Sequence, residues 1–275
     1  MTILITGASS YVGARIYVDL KKNFNVVGTY YSLKLFPELE FLDISNKIAA
    51  KNFILKTRPN IIIHAAANAS NSWCEKHPEQ AKAINEEGTK NIVEAANNVK
   101  AKVIFISTFA VANTGTLYGQ TKIKSEEYVK EAKFGYVILR PSLIVGFSPN
   151  TTNDRPFNRI MKNITENVPA IYDISWRFQP TWLKHIVEVI EVIIQKNIIN
   201  EIIPISVPEI KTRFDLAKDI LSEFNIEVKP EDKEDSTPVA RDDLEKLKEL
   251  KLPFYTYSQM IEGIRQEIKS NLKHS

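Results

Sequence analysis

The chain has 275 residues, 44% of them hydrophobic and 25% charged, with a formal net charge of +3 and a pI of about 8.7. Such values describe a globular chain long enough for one large or two interlocked domains, and the lysines are too mixed with carboxylates for a nucleic-acid surface. Cys74 is the only cysteine, which excludes an internal disulfide and a Cys-rich metal site, and no apolar run reaches membrane-spanning length.

Met1-Thr-Ile-Leu-Ile-Thr-Gly enters a strand directly, without a basic, cleavable leader, so the expected compartment is the cytoplasm. The sequons at Asn68, Asn150 and Asn163 then carry no sugar. Thr2 to Thr6 is a β-branched run that stops at Gly7, and a helical pattern (Val12, Ile16, Leu20) starts by Tyr11. The turn between them, Gly7-Ala8-Ser9-Ser10-Tyr11-Val12-Gly13, has the glycines of a dinucleotide-binding turn at its first and last positions. Ser10 takes the middle one, where its hydroxyl can donate to phosphate. Phe24 to Thr29 reads as the second strand. After it stands Tyr30-Tyr31-Ser32-Leu33-Lys34, with no acid to hold a ribose 2′-hydroxyl, so Tyr30, Ser32 and Lys34 favour NADP(H) over NAD(H), which stays possible.

A short third strand, Leu39 to Leu42, ends at Asp43-Ile44. Asp43 suits either the adenine amino group or a turn, and Ser45 is placed to cap a helix running to Thr57. Asn60 to His64 is apolar, as buried parallel strands are, and runs into Ala65-Ala66-Ala67, small residues that let a flat ligand approach the backbone. His64 reads as a hydrogen-bonded core group rather than a catalyst. Glu75 to Val99 is mostly helix, interrupted near Pro78, with Asn85 inside it. Lys102 to Ser107 is the fifth strand, Tyr118 to Ala132 a helix, and Tyr136 to Arg140 a sixth strand followed by Pro141.

This strict alternation predicts an α/β fold, a Rossmann-type doubly wound parallel sheet. Gly7, Asp43, Ala65, Thr108 and Pro141 all fall at strand carboxyl ends, where such sheets bind ligands. After Pro141 the rhythm changes. Helices are expected near Phe157 to Asn167, Trp182 to Gln195, Arg213 to Phe224, Asp242 to Leu250 and Tyr257 to Ile268, with an edge strand at Ile202 to Ser206 around Pro204. The expected division is residues 1–147 as the dinucleotide-binding domain and 148–275 as a smaller, mostly helical substrate-binding lid, with about 182–206 returning to the sheet.

Tyr118-Gly-Gln-Thr-Lys122 carries the chemistry. On a helix, Tyr118 and Lys122 sit at i and i+4 on one face. An ammonium about 4 Å from a phenolate stabilises it by roughly 4 kcal/mol at an effective dielectric of about 20, which brings a phenol toward neutrality. Such a phenol can protonate a carbonyl oxygen while hydride reaches its carbon, with the Thr108 hydroxyl holding that oxygen. Two further Tyr-x-x-x-Lys copies, Tyr17/Lys21 and Tyr30/Lys34, lie in the first helix and just past the second strand, away from any expected chemistry.

With the glycine turn, Asp43, the alanines, Ser107-Thr108, Tyr118/Lys122 and Arg140-Pro141 in place, the chain resembles an extended short-chain dehydrogenase/reductase of the dTDP-4-dehydrorhamnose reductase group. Arg58-Pro59-Asn60, Cys74-Glu75-Lys76-His77-Pro78-Glu79, Glu126 and Gln179-Pro180-Thr181 extend the likeness. The resemblance implies NAD(P)H, a Thr108/Tyr118/Lys122 triad, a nucleotide-sugar substrate, no metal and, by analogy, a homodimer. The expected function is reduction of a nucleotide-sugar carbonyl in dTDP-rhamnose-type metabolism. Four positions depart from the group: Ser72 replaces an aspartate, the segment between Thr108 and Tyr118 is short, Leu143 replaces a tryptophan, and the Arg-Pro segment near the end is reduced to Pro238-Val239-Ala240-Arg241. Two alternatives stay open. One is a nucleotide-sugar epimerase or dehydratase, although Phe109 stands where dehydratases carry an acid. The other is a non-catalytic NADP-binding regulator like that of methionine adenosyltransferase.

Overall fold

The computed structural model describes residues 1–112, 115–166, 168–237, 239, 241 and 243–273. The expected helix end at Asn167, the helix start at Asp242, and Pro238 and Ala240 lie outside them. By compactness the chain divides into two units, Met1–Arg140 with Ile190–Ile203, and Pro141–Val189 with Pro204–Ser275. The boundary expected after residue 147 therefore falls after Arg140. The physical reason is local: just past the sixth strand, Ile144–Val145 pairs with Thr181–Trp182, which commits those residues to the second unit. The returning segment is likewise narrower than the expected 182–206.

In the first unit, β1 (Thr2–Thr6), β2 (Asn25–Tyr30), β3 (Glu40–Phe41), β4 (Ile61–His64), β5 (Lys102–Ile106) and β6 (Tyr136–Pro141) form a sheet in the order 3-2-1-4-5-6, every one of these neighbours parallel. A seventh strand, Glu201–Ile205, adds beyond β6 as an edge, which Pro204 tolerates. Helices α1 (Tyr11–Leu20), α2 (Lys47–Thr57), α3 (Asn71–Lys76), α4 (Pro78–Lys82), α5 (Gly88–Val99) and α6 (Leu117–Val129) connect the strands. The sheet is the Rossmann-type doubly wound one that the alternation predicts. Ile62, Val103, Phe105 and Ile138 are fully or almost fully buried in a core shared with Ile54 and Ile92. Their β-branched and aromatic side chains suit a sheet covered on both faces.

Local chemistry sets where the helices begin. Asn46, not Ser45, caps α2 by accepting from Ala49 N at 3.0 Å, because the Ser45 hydroxyl donates to Asp43 Oδ1 at 2.6 Å. The long helix expected from Glu75 breaks at His77, and Pro78 begins a new one. Between α4 and α5 the backbone widens into a π turn, Ala83–Glu87. At the opposite edge of the sheet, the Lys102 ammonium donates to the Ile193 carbonyl at 3.3 Å, near the carboxyl end of a helix, where a cation is favoured. Burial pushes that lysine down to about 8.

The second unit carries helices Pro156–Thr165, Arg213–Leu221, Glu245–Glu249 and Tyr257–Leu272, and is less purely helical than expected. Besides the pairing above, Ala170–Asp173 pairs in parallel with Val228–Glu231, and Arg177–Phe178 pairs antiparallel with Lys211–Thr212. Trp182 is buried in this unit, and neither Gly146 nor Gly263 has room for a side chain against its ring. The Trp182 indole donates to Glu267 Oε2 at 3.2 Å. No described helix is long and apolar enough to cross a membrane.

Strand order reverses between β1 and β4, and there backbone lies close to backbone. A Cβ on Gly7 (φ +70°) would lie 2.8 Å from the Ala66 backbone, and one on Gly13 would collide with the Gly7 carbonyl. Gly13→Ala is expected to destabilise the protein by about 1–3 kcal/mol, the usual cost of overpacking, measured by urea unfolding.

Candidate active site

The turn after β1 presents the start of α1 to the carboxyl edge of the sheet. Ser10 is the N-cap of α1: its hydroxyl oxygen accepts from Gly13 N at 3.0 Å, leaving its proton to be donated elsewhere. Ser9 and Val12 are half-buried in the same turn, whereas the Tyr11 side chain is buried. Across the switch point, Ala65 N donates to the Thr6 carbonyl at 3.2 Å, and Ala65, Ala66 and Ala67 are half-buried. Gly7 against Ala66 thus forms a shallow floor without projecting side chains, which fits a dinucleotide lying over the crevice with its phosphates toward the helix N-terminus.

Farther along that edge, Tyr30 closes β2. Its ring meets Phe41 edge-on at 5.9 Å and carries the Lys34 ammonium 5.8 Å from its centroid. Tyr31 and Ser32 are exposed beside it. Asp43 Oδ1 holds a turn by accepting from Ser45 N at 2.9 Å and from the Ser45 hydroxyl, so the turn role weighed for it is present. Ile44 packs its buried side chain near Gly88 and offers a ligand only backbone. Pro141 is buried at the end of β6.

The buried face of α6 is polar. Thr116 caps the helix through Gly119 N at 3.1 Å, and Glu75 Oε1 accepts from Leu117 N at 2.7 Å, a carboxylate placed where the helix dipole favours it. Tyr118 follows, half-buried, with Lys122 one turn later on the same face. Lys122 is 2% exposed. Its ammonium donates to the Ile106 carbonyl at 2.8 Å and lies 3.9 Å from the centroid of the Phe105 ring. The lysine is thereby pinned to the end of β5, two residues before the half-buried Thr108. Burial pushes Lys122 down to about 7, with Glu126 pulling the other way. The charge expected to acidify Tyr118 therefore itself titrates near neutrality.

The other two Tyr-x-x-x-Lys copies have structural partners. Tyr17 and Lys21 both donate to Glu38, and the phenol of Tyr17 is raised by burial and by Glu38. Tyr30 and Lys34 form the ring contact described above.

Sequence reasoning missed the polar network behind the triad. Glu126, 3% exposed, accepts from the Ser107 hydroxyl at 2.6 Å and from Arg140 Nε and Nη2 at 2.9 and 2.5 Å. Asn85, in the π turn, clamps the segment after β4: its Oδ1 accepts from Asn68 N at 2.9 Å, while its Nδ2 donates to Asn68 O at 3.1 Å and to Thr121 Oγ1 at 3.2 Å. The Asn85 carbonyl accepts from Ser125 at 2.7 Å and from Thr89 at 2.6 Å. A visible signal was the run of Thr121, Lys122, Ser125 and Glu126 along one helix face, polar residues at core spacing.

His64 is fully buried, with Thr6 Oγ1 at 2.6 Å from Nδ1 and Thr89 Oγ1 at 3.0 Å from Nε2. Because Thr89 donates its one proton to Asn85, Nε2 must carry the imidazole hydrogen and Nδ1 must accept from Thr6. Burial and the charge of Lys122 push this histidine down to about 3, so it stays neutral.

A family model described as the RmlD substrate binding domain matches residues 1–273. The chain belongs to that family. Among its relatives, methionine adenosyltransferase 2 subunit beta of Xenopus tropicalis is 31% identical over 157 residues, 52% of this chain and 47% of that protein. The dTDP-4-dehydrorhamnose reductase of Salmonella typhimurium is 27% identical over 158 residues, 52% of each. The match thus spans about half the length of each of these curated relatives. The crystal structure of dTDP-4-dehydrorhamnose reductase from Bacillus anthracis, in complex with NADP, superposes with a TM-score of 0.81 at 22% identity, covering 98% of both chains, and shares the fold.

The depressed Lys122 gives stability a pH dependence. An unfolded lysine titrates near 10.5 and this folded one near 7, so its contribution is complete above 10.5 and is lost as pH falls through that window toward 7. The unfolding free energy of the wild type minus that of Lys122→Met is expected to rise from pH 7 to pH 10, as followed by urea titration at each pH.

Proposed function

We propose that the chain is an NAD(P)H-dependent reductase, NADPH preferred, acting on the carbonyl of a nucleotide-activated sugar in the manner of dTDP-4-dehydrorhamnose reductase. The observation that carries this reading is the buried Lys122, tethered to the Ile106 carbonyl at the end of β5 and one turn after Tyr118. The relatives named dTDP-4-dehydrorhamnose reductase, one of them solved with NADP, support it.

When bound, the nicotinamide supplies hydride. Ser9, Tyr11 and Val12 would face the diphosphate with their backbone and Ser10 with its hydroxyl proton, while Gly7 and Gly13, which leave no room for a side chain, would let it approach the turn. Ala65, Ala66, Ala67 and Pro141 would bound the space for the dinucleotide, and Asp43 and Ile44 its adenine side. Tyr30 and Ser32, with Lys34 over the tyrosine ring, offer hydroxyls and a cation to a 2′-phosphate. The Thr108 hydroxyl donates to the substrate carbonyl oxygen, and Tyr118 delivers the proton to that oxygen. Lys122 favours the phenolate left behind and would hydrogen-bond the ribose of the nicotinamide. A cytoplasmic setting and a homodimer belong to the same reading by analogy with the fold.

A second reading, a cofactor-binding subunit without turnover, is favoured by the likeness to methionine adenosyltransferase 2 subunit beta and by Ser72, which stands exposed where the reductase group carries an acid. NADPH oxidation across a panel of nucleotide 4-ketosugars separates the two. Turnover is expected with at least one member, and Tyr118→Phe should lower kcat by about 10²-fold or more. Fluorescence titration should give tighter binding of NADPH than of NADH. No turnover on any member would favour the subunit reading, and no binding of either nucleotide below millimolar concentration would end the cofactor assignment.

A further inference from the structure

Glu126 and Arg140 have no part in that reaction, yet one turn beyond Lys122 they form an ion pair in which the carboxylate is buried and the guanidinium side chain is 31% exposed. The geometry is a fork: Arg140 Nε meets one carboxylate oxygen at 2.9 Å and Nη2 the other at 2.5 Å, while the Ser107 hydroxyl adds a third hydrogen bond at 2.6 Å. Lys122 and Glu126 stand at i and i+4 on the same buried face, and the lysine donates to the Ile106 carbonyl.

We propose that Glu126 and Arg140 are positioning residues that set how much positive charge Lys122 carries, the carboxylate favouring the ammonium and the guanidinium restraining that effect by holding both carboxylate oxygens.

The neighbours of Lys122 leave this pair in control. On β5, the Phe105 ring and the Ile106 carbonyl favour an ammonium, but neither carries a charge. On β4, His64 is kept neutral by burial. On α6, Tyr118 precedes Lys122 by one turn and Glu126 follows by one turn, and on β6 stands Arg140. A guanidinium stays charged at every pH at which the protein folds. A bidentate partner therefore removes much of the field that Glu126 would otherwise exert on Lys122. Burial pushes the lysine down to about 7 while Glu126 pulls the other way, so the carboxylate favours the ammonium without overcoming burial.

A structural brace and a charge-setting pair make different predictions. Loss of a brace weakens the site in the same sense whichever partner is removed. Loss of one charge moves Lys122 in a direction that depends on the sign removed. The test is the titration of Lys122 in the full-length, ligand-free protein labelled with 13Cε-lysine, its resonance identified by its absence from Lys122→Arg. Glu126→Gln is expected to move the midpoint to lower pH and Arg140→Gln to higher pH, each by about one pH unit. The double variant should return close to the wild type. Midpoints that stay put, or that move the same way in both single variants, overturn the proposal. If Glu126→Gln does not fold, Arg140→Gln decides alone: an upward move supports the pair and any other result rejects it.

The catalytic meaning of this control rests on the reductase reading, and a second measurement keeps the two apart. The basic limb of the kcat/KM profile for NADPH-dependent ketosugar reduction should follow the titration midpoints across the variants. Midpoints that separate as expected in a protein without turnover would sink the reductase reading and leave the charge-setting pair standing.

Discussion

Lys122 donates to the Ile106 carbonyl from a position that water hardly reaches, and the arrangement at the carboxyl edge of the first unit's sheet follows from making that tolerable. A buried ammonium is costly unless donors and acceptors around it are matched, and removal of one partner from a buried network costs more than the network contributes when whole. The structure meets the requirement by satisfying the inner face of α6 in full. Thr121 and Ser125 face Asn85, Lys122 faces β5, and Glu126 faces Ser107 and Arg140. Two strands, β5 and β6, and the π turn are thus fixed to one helix by polar contacts. Tyr118 stands in the first turn of that helix.

A second constraint acts at the switch point. Parallel strands that reverse their order leave a crevice, but a dinucleotide can enter only if the backbone is bare there. Gly7 and the three alanines supply that bareness, and the close approach of Gly7 to Ala66 closes the crevice floor. The two constraints differ in kind. At the turn, absence of side chains shapes the site, whereas along α6 a dense set of polar side chains does so. Both meet at the carboxyl edge of the sheet.

The alternation of strands and helices was legible because parallel strands are apolar throughout and their ends are marked by glycine, alanine or hydroxyl residues. Asn60 to His64 and Tyr136 to Arg140 are clear examples. The edge role of the strand around Pro204 was legible from the missing amide. Helix α6 was found by its Tyr-x-x-x-Lys spacing and not by hydrophobic periodicity, since its buried face is polar. For the same reason Glu126 and Asn85 escaped notice as parts of one network: their partners lie 14 to 40 residues away in sequence. The cap at Asn46 was misread as Ser45 because two adjacent residues could serve, and only the turn at Asp43 decides between them. The end of the first unit was placed seven residues late, since the pairing of Ile144–Val145 with a strand more than thirty residues on leaves no local mark.

The π turn at Ala83–Glu87 has a consequence for how chains of this kind can change. A regular α-helix advances each residue by about 100°, and a π turn accommodates one residue more than its α counterpart. Deleting a single residue between Ala83 and Glu87 would let the turn close into regular winding, leaving α4 and α5 nearly in phase but shifting residues inside the turn round the axis by up to about that angle. The Asn85 amide would then no longer address Asn68 and Thr121 together. The number of residues in this stretch therefore works as a length standard for the site, more sensitive to insertion and deletion than to most substitutions.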